Sequence, residues 1–273
     1  MNKTKLCLGL GGFGMTAVEQ IRYFKKLGFE GFFSGWGGQE QFRKKADELG
    51  MVYQSIHAPF GKAADFWKGG DAAEAAVSEL IACVEDCARV EVPIMVAHTF
   101  IGFEDHDPNE TGVENYGRVC ARAKELGVQV AFENTEGEEY LAAVMELAKV
   151  YPGTVGFCWD AGHEMCYNYG RDMLALYGDL LIATHLNDNF GMANRLVMTW
   201  HDDSHVLPFD GINDWKSVID RMDKVGYDGI YTMELTRNAK PNKNTHDAYA
   251  AWSLEEFLAE ALNRMHRMVA LRG

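Results

Sequence analysis

The sequence predicts an α/β fold that forms a single (β/α)8 barrel over residues 1–273. Eight short β-rich runs recur along the chain, and segments with helical spacing of apolar residues separate them. Dividing 273 residues among eight units gives about 34 residues each, which suits a barrel of roughly 250 residues. Because 47% of the residues are hydrophobic, the chain can bury the core that such a barrel needs.

The predicted strands are spaced so that one helix fits between each pair. They cover residues 6–9, 31–34, 52–57, 94–98, 128–133, 155–160, 180–185 and 229–235. Apolar stripes at positions 73–84, 141–148 and 215–222 predict amphipathic helices that pack on a sheet. Four predicted helices end in a glycine, the residue that commonly terminates a helix, at Gly28, Gly50, Gly127 and Gly226.

A doubly wound dinucleotide-binding sheet is the alternative fold. Residues 9–14 read Gly-Leu-Gly-Gly-Phe-Gly, a GxGxxG pattern after a strand and before a helix. In that fold the second strand ends in an acidic residue that binds ribose, but here it ends in Ser34, Gly35 and Trp36. We therefore interpret the glycines as a flexible first loop beside a pocket.

The composition bears on partners and on cellular location. A formal net charge of -14 repels a phosphate backbone, so nucleic acid is not an expected partner. The apolar stretches are strand-sized, and the N-terminal run 6–10 is broken by glycines and precedes no signal cleavage site. We therefore expect a cytoplasmic protein with no membrane partner. The six cysteines lack CxxC spacing and are predicted to be reduced core residues.

The ends of the predicted strands carry the chemistry, because barrel active sites lie at the carboxyl ends of the strands. Three carboxylates that converge there would repel one another unless protons or a cation neutralise them. A mixed carboxylate and imidazole set suits Mn²⁺, which is our first expectation, or Zn²⁺, Co²⁺ and Fe²⁺, and Mg²⁺ less well. From the third strand to the eighth, the potential ligands are His57, His98, Glu133, Asp160, His185 and Glu234.

A long loop follows the seventh strand and holds a second candidate group. Asp203 and His205 are two residues apart, and His163 follows Asp160 by three. We predict that His163, Asp203 and His205 form a second cation site or bind substrate hydroxyls, with a solvated acidic loop as the alternative.

Further loop residues are assigned by residue type. The loop cations considered for a phosphate are Lys62, Lys68 and Arg195, although no phosphate-binding motif surrounds them. His106, His246 and His266 are predicted to lie at the surface. The aromatic residues that we consider for packing against a sugar are Trp36, Phe60, Trp67, Phe100 and Trp200.

The order of these residues resembles the xylose-isomerase-like barrel superfamily from strand one to strand eight. It includes sugar (phosphate) isomerases and epimerases such as tagatose epimerase, hydroxypyruvate isomerase and inosose dehydratase, together with apurinic-site endonucleases. The resemblance is carried by His57, His98, Glu133, Asp160-Ala161-Gly162-His163, His185-Leu186-Asn187-Asp188, Asp203-Ser204-His205 and Glu234. It implies a metal held by Glu133, Asp160, His185 and Glu234, with the two glutamates moving protons. The predicted substrate contacts are His57, His98, His163, Trp36 and Asn187.

The resemblance implies a metal-dependent isomerase or epimerase that acts on a ketose or sugar phosphate. Such a reaction removes a proton next to a carbonyl, and a divalent metal stabilises the resulting enediolate. The expected partner is a small sugar or sugar phosphate, and homo-oligomer formation stays open. An inosose-dehydratase-like lyase is one alternative. An endonuclease-like hydrolase is another, because residues matching His57, His98, His163, Asp203 and His205 bind three metals there, but the charge of -14 disfavours it.

Overall fold

The computed structural model describes residues 4–103, 106–194 and 196–272. Eight parallel strands form one sheet in the order β7-β6-β5-β4-β3-β2-β1-β8. A parallel bridge between Leu186 and Met233 joins the two edges and closes the sheet. The strands are β1 (Leu6–Gly9), β2 (Gly31–Gly35), β3 (Val52–His57), β4 (Ile94–His98), β5 (Gln129–Glu133), β6 (Val155–Asp160), β7 (Leu181–His185) and β8 (Tyr231–Met233). The predicted (β/α)8 barrel is confirmed, and the doubly wound alternative is wrong.

Seven strands agree with the prediction to within one residue at each end. The eighth, predicted over 229–235, is shorter, since β8 covers only Tyr231–Met233. It pairs with β1 at three positions, Leu6 to Leu8, and meets the segment after β7 through the single Leu186 bridge. Residues 234 and 235 therefore leave the ladder and border the open end of the barrel.

Helices lie between successive strands and surround the sheet. The predicted C-terminal glycines Gly28, Gly50 and Gly127 have positive φ and end the first, second and fourth helices. No helix in the described ranges is long and apolar enough to cross a membrane. The helices are α1 (Ala17–Leu27), α2 (Gln39–Leu49), α3 (Gly70–Arg89), α4 (Glu110–Leu126), α5 (Glu138–Met145), α6 (Ala161–Cys166), α7 (Met173–Tyr177), α8 (Trp215–Lys224) and α9 (Leu254–Val269).

The side-chain alternation of the strands places the candidate ligands inside the barrel. Val96, Ala131, Cys158 and Ala183 form a small buried cluster with Ile94. Val96, Ala131, Cys158 and Ala183 each stand two positions before the last residue of their strand. In each strand the cluster residue and the last residue therefore lie on the same face. The last residues, His98, Glu133, Asp160 and His185, therefore project from the same face at the carboxyl end. All six cysteines are buried and free, as predicted.

Two glycines of α4 provide a test of packing around Trp67. A Cβ at Gly112 would overlap the Trp67 ring, whose Nε1 is fixed by a hydrogen bond to Thr99 O at 2.8 Å. A Cβ at Gly117 would make an ordinary contact of 3.8 Å with Leu147. We expect Gly112→Ala to lower the free energy of unfolding by about 1–3 kcal/mol through overpacking.

The matched Gly117→Ala variant should be neutral or up to about 1 kcal/mol more stable, because alanine restricts the unfolded chain. Urea unfolding followed by far-UV circular dichroism measures both variants. Equal stabilities for the two would contradict the described packing of Trp67.

Candidate metal centre

Four side chains from neighbouring strand ends meet at the carboxyl mouth of the barrel. Glu133, Asp160, His185 and Glu234 each place one ligand atom within 4.8 Å of the others. His185 Nδ1 lies 2.9 Å from Glu133 Oε1 and 3.2 Å from Glu234 Oε2. The side chains of Glu133, Asp160 and His185 are buried, whereas that of Glu234 is 29% exposed. Glu234 is therefore the member of the group that solvent reaches.

The protonation states of this group suit a divalent cation. Burial would raise the pKa of Glu133, but the charge of His185 and its hydrogen bond hold that pKa well below its usual value. Burial likewise opposes ionisation of Glu234, and His185 lowers its pKa to about 2. Burial raises the pKa of Asp160 to about 6. At neutral pH the mouth thus holds three buried or half-buried carboxylates, which a divalent metal would neutralise.

The Asp160 carboxylate is held in place by neighbouring residues. Asn187 Nδ2 donates to both of its oxygens, at 3.0 and 2.8 Å. The carboxylate also accepts the backbone N–H of His163 at 2.6 Å, which caps α6. Asn134 Oδ1 accepts the backbone N–H of Asp160 at 2.8 Å. Asn187, a predicted substrate contact, therefore lies behind Asp160, where it orients a carboxylate.

His57 and His98 flank the other side of Glu133. Their Nε2 atoms lie 3.2 and 3.3 Å from Glu133 Oε2. His57 Nδ1 donates to Ala58 O at 2.8 Å, an assignment that follows from the carbonyl partner. A neutral His57 would then direct its Nε2 lone pair at a carboxylate, so a proton or a cation must lie between them. One ligand atom each of His57, His98 and Glu133 lies within 4.8 Å of the others, so these residues form a second possible cation group.

His163, Asp203 and His205 come together as predicted. The Nε2 atoms of His163 and His205 lie 3.6 and 2.9 Å from Asp203 Oδ1. Their Nδ1 atoms donate to the backbone oxygens of Asn134 at 2.9 Å and Glu234 at 3.2 Å. Burial opposes a charge on His205, but Asp203 raises its pKa to about 9.

The two histidines form a possible cation group with Asp160. One ligand atom each of Asp160, His163 and His205 lies within 4.8 Å of the others. Asp203 lies beside that group. Asp203 and His205 are buried, so the alternative of a solvated acidic loop is wrong.

A cavity of about 250 Å³ opens beside the four candidate metal ligands, of which Glu234 lines it. The Phe60 ring stacks on His98 at 4.6 Å, and the Phe33 ring stacks on His185 at 4.4 Å. The cavity is bordered by Gly9, Gly11 and Gly12, which confirms that the first loop lies beside a pocket. Its lining is Gly9, Leu10, Gly11, Gly12, Phe33, His57, Phe60, His98, His163, Asp203, His205, Glu234, Leu235, Thr236 and Lys240.

Several predicted residues lie elsewhere. Trp36 donates its Nε1 to Asp86 Oδ2 at 2.8 Å and packs on α3, so it is not among the residues that line the cavity. Trp36 comes after β2 has ended at Gly35, so the side-chain alternation of the strand does not direct its ring towards the barrel mouth. Trp67 and Phe100 line a neighbouring cavity.

The loop cations also differ from expectation. Lys62 pairs with Glu79 at 2.8 Å and Lys68 with Asp65 at 3.1 Å, and neither lysine lines the cavity beside the candidate metal ligands. Arg195 lies outside the described residues. The surface prediction for His246 is wrong, since its buried ring lies 3.1 Å from Thr236 Oγ1.

Sequence reasoning missed Lys240. It lies six residues after Glu234 in the segment between β8 and α9, and its Nζ is 3.7 Å from Asp203 Oδ2. Among the cavity-lining residues in the described ranges, Lys240 is the one lysine or arginine. A search of the segment after the eighth strand for cations would have found Arg237, Lys240 and Lys243, and the structure shows which of them lines the cavity.

The comparisons with known proteins agree with this architecture. The model of the family described as xylose isomerase-like TIM barrel matches residues 11–257. An uncharacterized protein of Sinorhizobium fredii, y4fM, is 35% identical over 159 residues, which cover 55% of this chain. The aligned part is 48% of y4fM, so the chain spans about half the length of this curated relative.

Solved structures share the fold at low identity. D-psicose 3-epimerase from Clostridium cellulolyticum H10 has a TM-score of 0.71 at 14% identity, over 98% of this chain and 100% of that one. The IOLI protein with a zinc atom has a TM-score of 0.73 at 16% identity, over 97% and 98%. A xylose isomerase-like barrel fused to 4-hydroxyphenylpyruvate dioxygenase also scores 0.73 at 16% identity, and 97% of this chain covers 43% of it.

The ligand set predicts divalent-metal binding. Chelator-treated protein titrated with Mn²⁺ in a calorimeter should bind at least one equivalent. Asp160→Asn should weaken binding strongly, whereas replacing the exposed Asp179 by asparagine should not. Because a protonated carboxylate is a poor ligand and burial raises the pKa of Asp160 to about 6, affinity should fall as the pH drops through 6. Equal Mn²⁺ affinity of the two variants would show that Asp160 does not bind the metal.

The Asn187 contact predicts a supporting role for the metal site. Asn187→Ala should weaken Mn²⁺ binding roughly 10- to 100-fold, as loss of a residue that orients a ligand does. Gly162→Ala should have the same effect, because its Cβ would overlap Asn187 Oδ1 and displace the amide. Asn263→Ala on α9 serves as the control. Normal Mn²⁺ affinity in both site variants would show that Asn187 does not orient Asp160.

Proposed function

Because the chain belongs to the xylose isomerase-like TIM barrel family, we propose that it is a divalent-metal-dependent isomerase or epimerase of a ketose or sugar phosphate. The observation that carries the proposal is the meeting of Glu133 and Glu234 at His185 Nδ1, at 2.9 and 3.2 Å, beside a cavity that Glu234 lines. D-psicose 3-epimerase, which shares the fold, supports the same class of reaction.

The residues that would hold the metal are Glu133, Asp160, His185 and Glu234. A divalent cation bound there supplies Lewis-acid stabilisation of negative charge on neighbouring substrate oxygens. The donor set of three carboxylates and one imidazole is compatible with Mn²⁺ or Zn²⁺. Asn187 would fix Asp160, and the backbone carbonyl of Asn134 would fix His163, so the site needs little rearrangement to bind its ligands.

The chain's own part in the reaction is to move a proton. Isomerisation or epimerisation removes the proton next to a carbonyl and returns it to another carbon or to the opposite face. Glu133 ends β5 and Glu234 follows β8, and these strands are separated by β6 and β7 in the closed sheet. In the proposed reaction the two carboxylates, which belong to different strand ends, would approach a bound sugar from different directions. One carboxylate would accept the proton, and the other would return it.

The cavity walls position the sugar and limit the access of water. The imidazoles of His57, His98 and His163 border the cavity and would hydrogen-bond substrate oxygens. Phe60 is 44% exposed and stacks on His98, which leaves one ring face for the apolar side of a sugar. A cavity of about 250 Å³ suits a small ligand, below the roughly 300–1,000 Å³ of drug-sized sites.

The proposal predicts that each glutamate is needed beyond metal binding. Glu133→Gln or Glu234→Gln keeps the side-chain size but removes the base, so turnover at matched metal occupancy should fall about 10²–10⁴-fold. The control is Glu79→Gln, which affects only the surface pair with Lys62. The assay screens ketoses and sugar phosphates, with metal content measured for every variant, since an empty site would imitate a lost base.

Solvent exchange gives an independent readout. In D₂O the unmodified protein should introduce deuterium at the carbon next to the carbonyl, because a carboxylate holds the transferred proton. Near-normal turnover by metal-loaded glutamine variants, or product formed with no exchange, would favour a hydride shift over proton transfer. Incision of an abasic DNA duplex at a rate comparable to sugar turnover would favour a hydrolase instead.

A further inference from the structure

We propose that Lys240 binds an anionic group of the substrate, so that the protein acts on an acidic or phosphorylated ketose. The inference rests on the proposed function and narrows its substrate class. The shared chemistry is a carboxylate or phosphate located away from the reacting carbons. Lys240 would be a residue that determines specificity and takes no part in proton transfer.

The position of Lys240 directs its charge at the cavity. Its side chain is 23% exposed, and its Nζ lies 5.5 Å from the centre of the Trp200 ring. The ring face restrains the ammonium, as in other cation–π contacts. Lys240 lines the cavity together with Thr236, and it is the one lysine or arginine among the described residues that do so. The ammonium is thus half-buried and held beside the space that a substrate would occupy.

The carboxylate of Asp203, which lies near Lys240, does not fully neutralise the charge of the Lys240 ammonium. Asp203 already faces His205 Nε2 at 2.9 Å and His163 Nε2 at 3.6 Å through its Oδ1. Lys240 Nζ stands 3.7 Å from the other oxygen, Oδ2, which is beyond hydrogen-bond distance. Three basic groups therefore surround one carboxylate, and the ammonium keeps donors for another acceptor. An anionic substrate group is the acceptor that would best compensate its partial burial.

The neighbouring loop leaves space for such a group. Because β8 pairs with β1, the first loop lies beside the segment that carries Lys240. A Cβ at Gly11 would lie 3.8 Å from Leu235 O, and a Cβ at Gly12 would meet no atom within 4 Å. Gly12 thus borders open space, whereas a Cβ at Gly11 would make ordinary contacts with the Phe13 ring and Leu235 O. The metal ligands Glu133, Asp160 and His185 approach from β5, β6 and β7.

Lys243 offers a matched control in the same segment. It pairs with Asp202, the residue before Asp203, and does not line the cavity. Asp202 does not line the cavity, and its carboxylate also accepts the backbone N–H of Ala193 at 3.2 Å, a hydrogen bond that does not involve Lys243. Replacing Lys243 removes a positive charge three residues away without changing the charge inside the cavity.

The experiment compares three ketoses that differ only at carbon six. D-Fructose is neutral there, D-fructuronate carries a carboxylate, and D-fructose 6-phosphate carries a phosphate. Their dissociation constants are measured calorimetrically for the full chain in saturating Mn²⁺, with Lys240→Met and Lys243→Met alongside. Methionine keeps the length of the side chain over Trp200 and removes its charge.

We expect the unmodified protein to bind at least one anionic ketose 10-fold or more tightly than D-fructose. Lys240→Met should reduce that ratio about 10- to 100-fold, as loss of a charge-assisted contact does. Lys243→Met should leave the ratio unchanged. A preference for D-fructuronate or for D-fructose 6-phosphate distinguishes a carboxylate from a phosphate.

The inference is overturned if neither anionic ketose binds more tightly than D-fructose, or if Lys240→Met leaves the ratio unchanged. It is also overturned if Lys243→Met lowers the ratio equally, since the effect would then be general electrostatics. The proposed function fails differently. Suppose that binding prefers anions through Lys240 but that no ketose shows turnover or deuterium exchange. That result would support the anion-binding site and contradict the isomerase reaction.

Discussion

The concentration of carboxylates around His185 is the constraint on which the rest of the site depends. Glu133, Asp160 and Glu234 end or follow three strands of one barrel, and two of them contact the same imidazole nitrogen. Charges buried this closely are stable only when they are compensated, and here imidazoles surround them. The same excess of negative charge makes the mouth of the barrel suitable for a divalent cation.

A layer of hydrogen bonds behind the ligands fixes their directions. His57, His163 and His205 each donate Nδ1–H to a backbone carbonyl, which leaves Nε2 to face a carboxylate. This arrangement is typical of histidines that bind metals. The loop that carries His205 is held by Asp188, whose buried carboxylate accepts the backbone N–H groups of Phe209 and Asn213 and the Nε1–H of Trp215. The long loop after β7 is therefore an ordered wall of the cavity.

The positions of strand residues were predictable, and the positions of loop residues were less so. A strand alternates its side chains with a period of two, so residues at strand ends such as Glu133 and Asp160 are placed once the barrel is recognised. Trp36 was misplaced because it comes after β2 has ended, where no periodicity restricts the ring. Asn187 was placed beside the correct residues but in a different role, since the sequence does not distinguish a contact to substrate from a contact to Asp160.

The sequence by itself determined the eight-unit barrel, the boundaries of seven strands to within one residue, and the residues at the strand ends that meet at the mouth. Local periodicity and helix-ending glycines encode these features, and both act over a few residues. Only the tertiary structure decided which side chains touch one another. It paired Lys62 with Glu79, turned Trp36 towards Asp86, buried His246 against Thr236 and placed Lys240 beside Asp203. These contacts join side chains 10 to 50 residues apart along the chain, and their geometry depends on how the closed barrel places its loops and helices side by side.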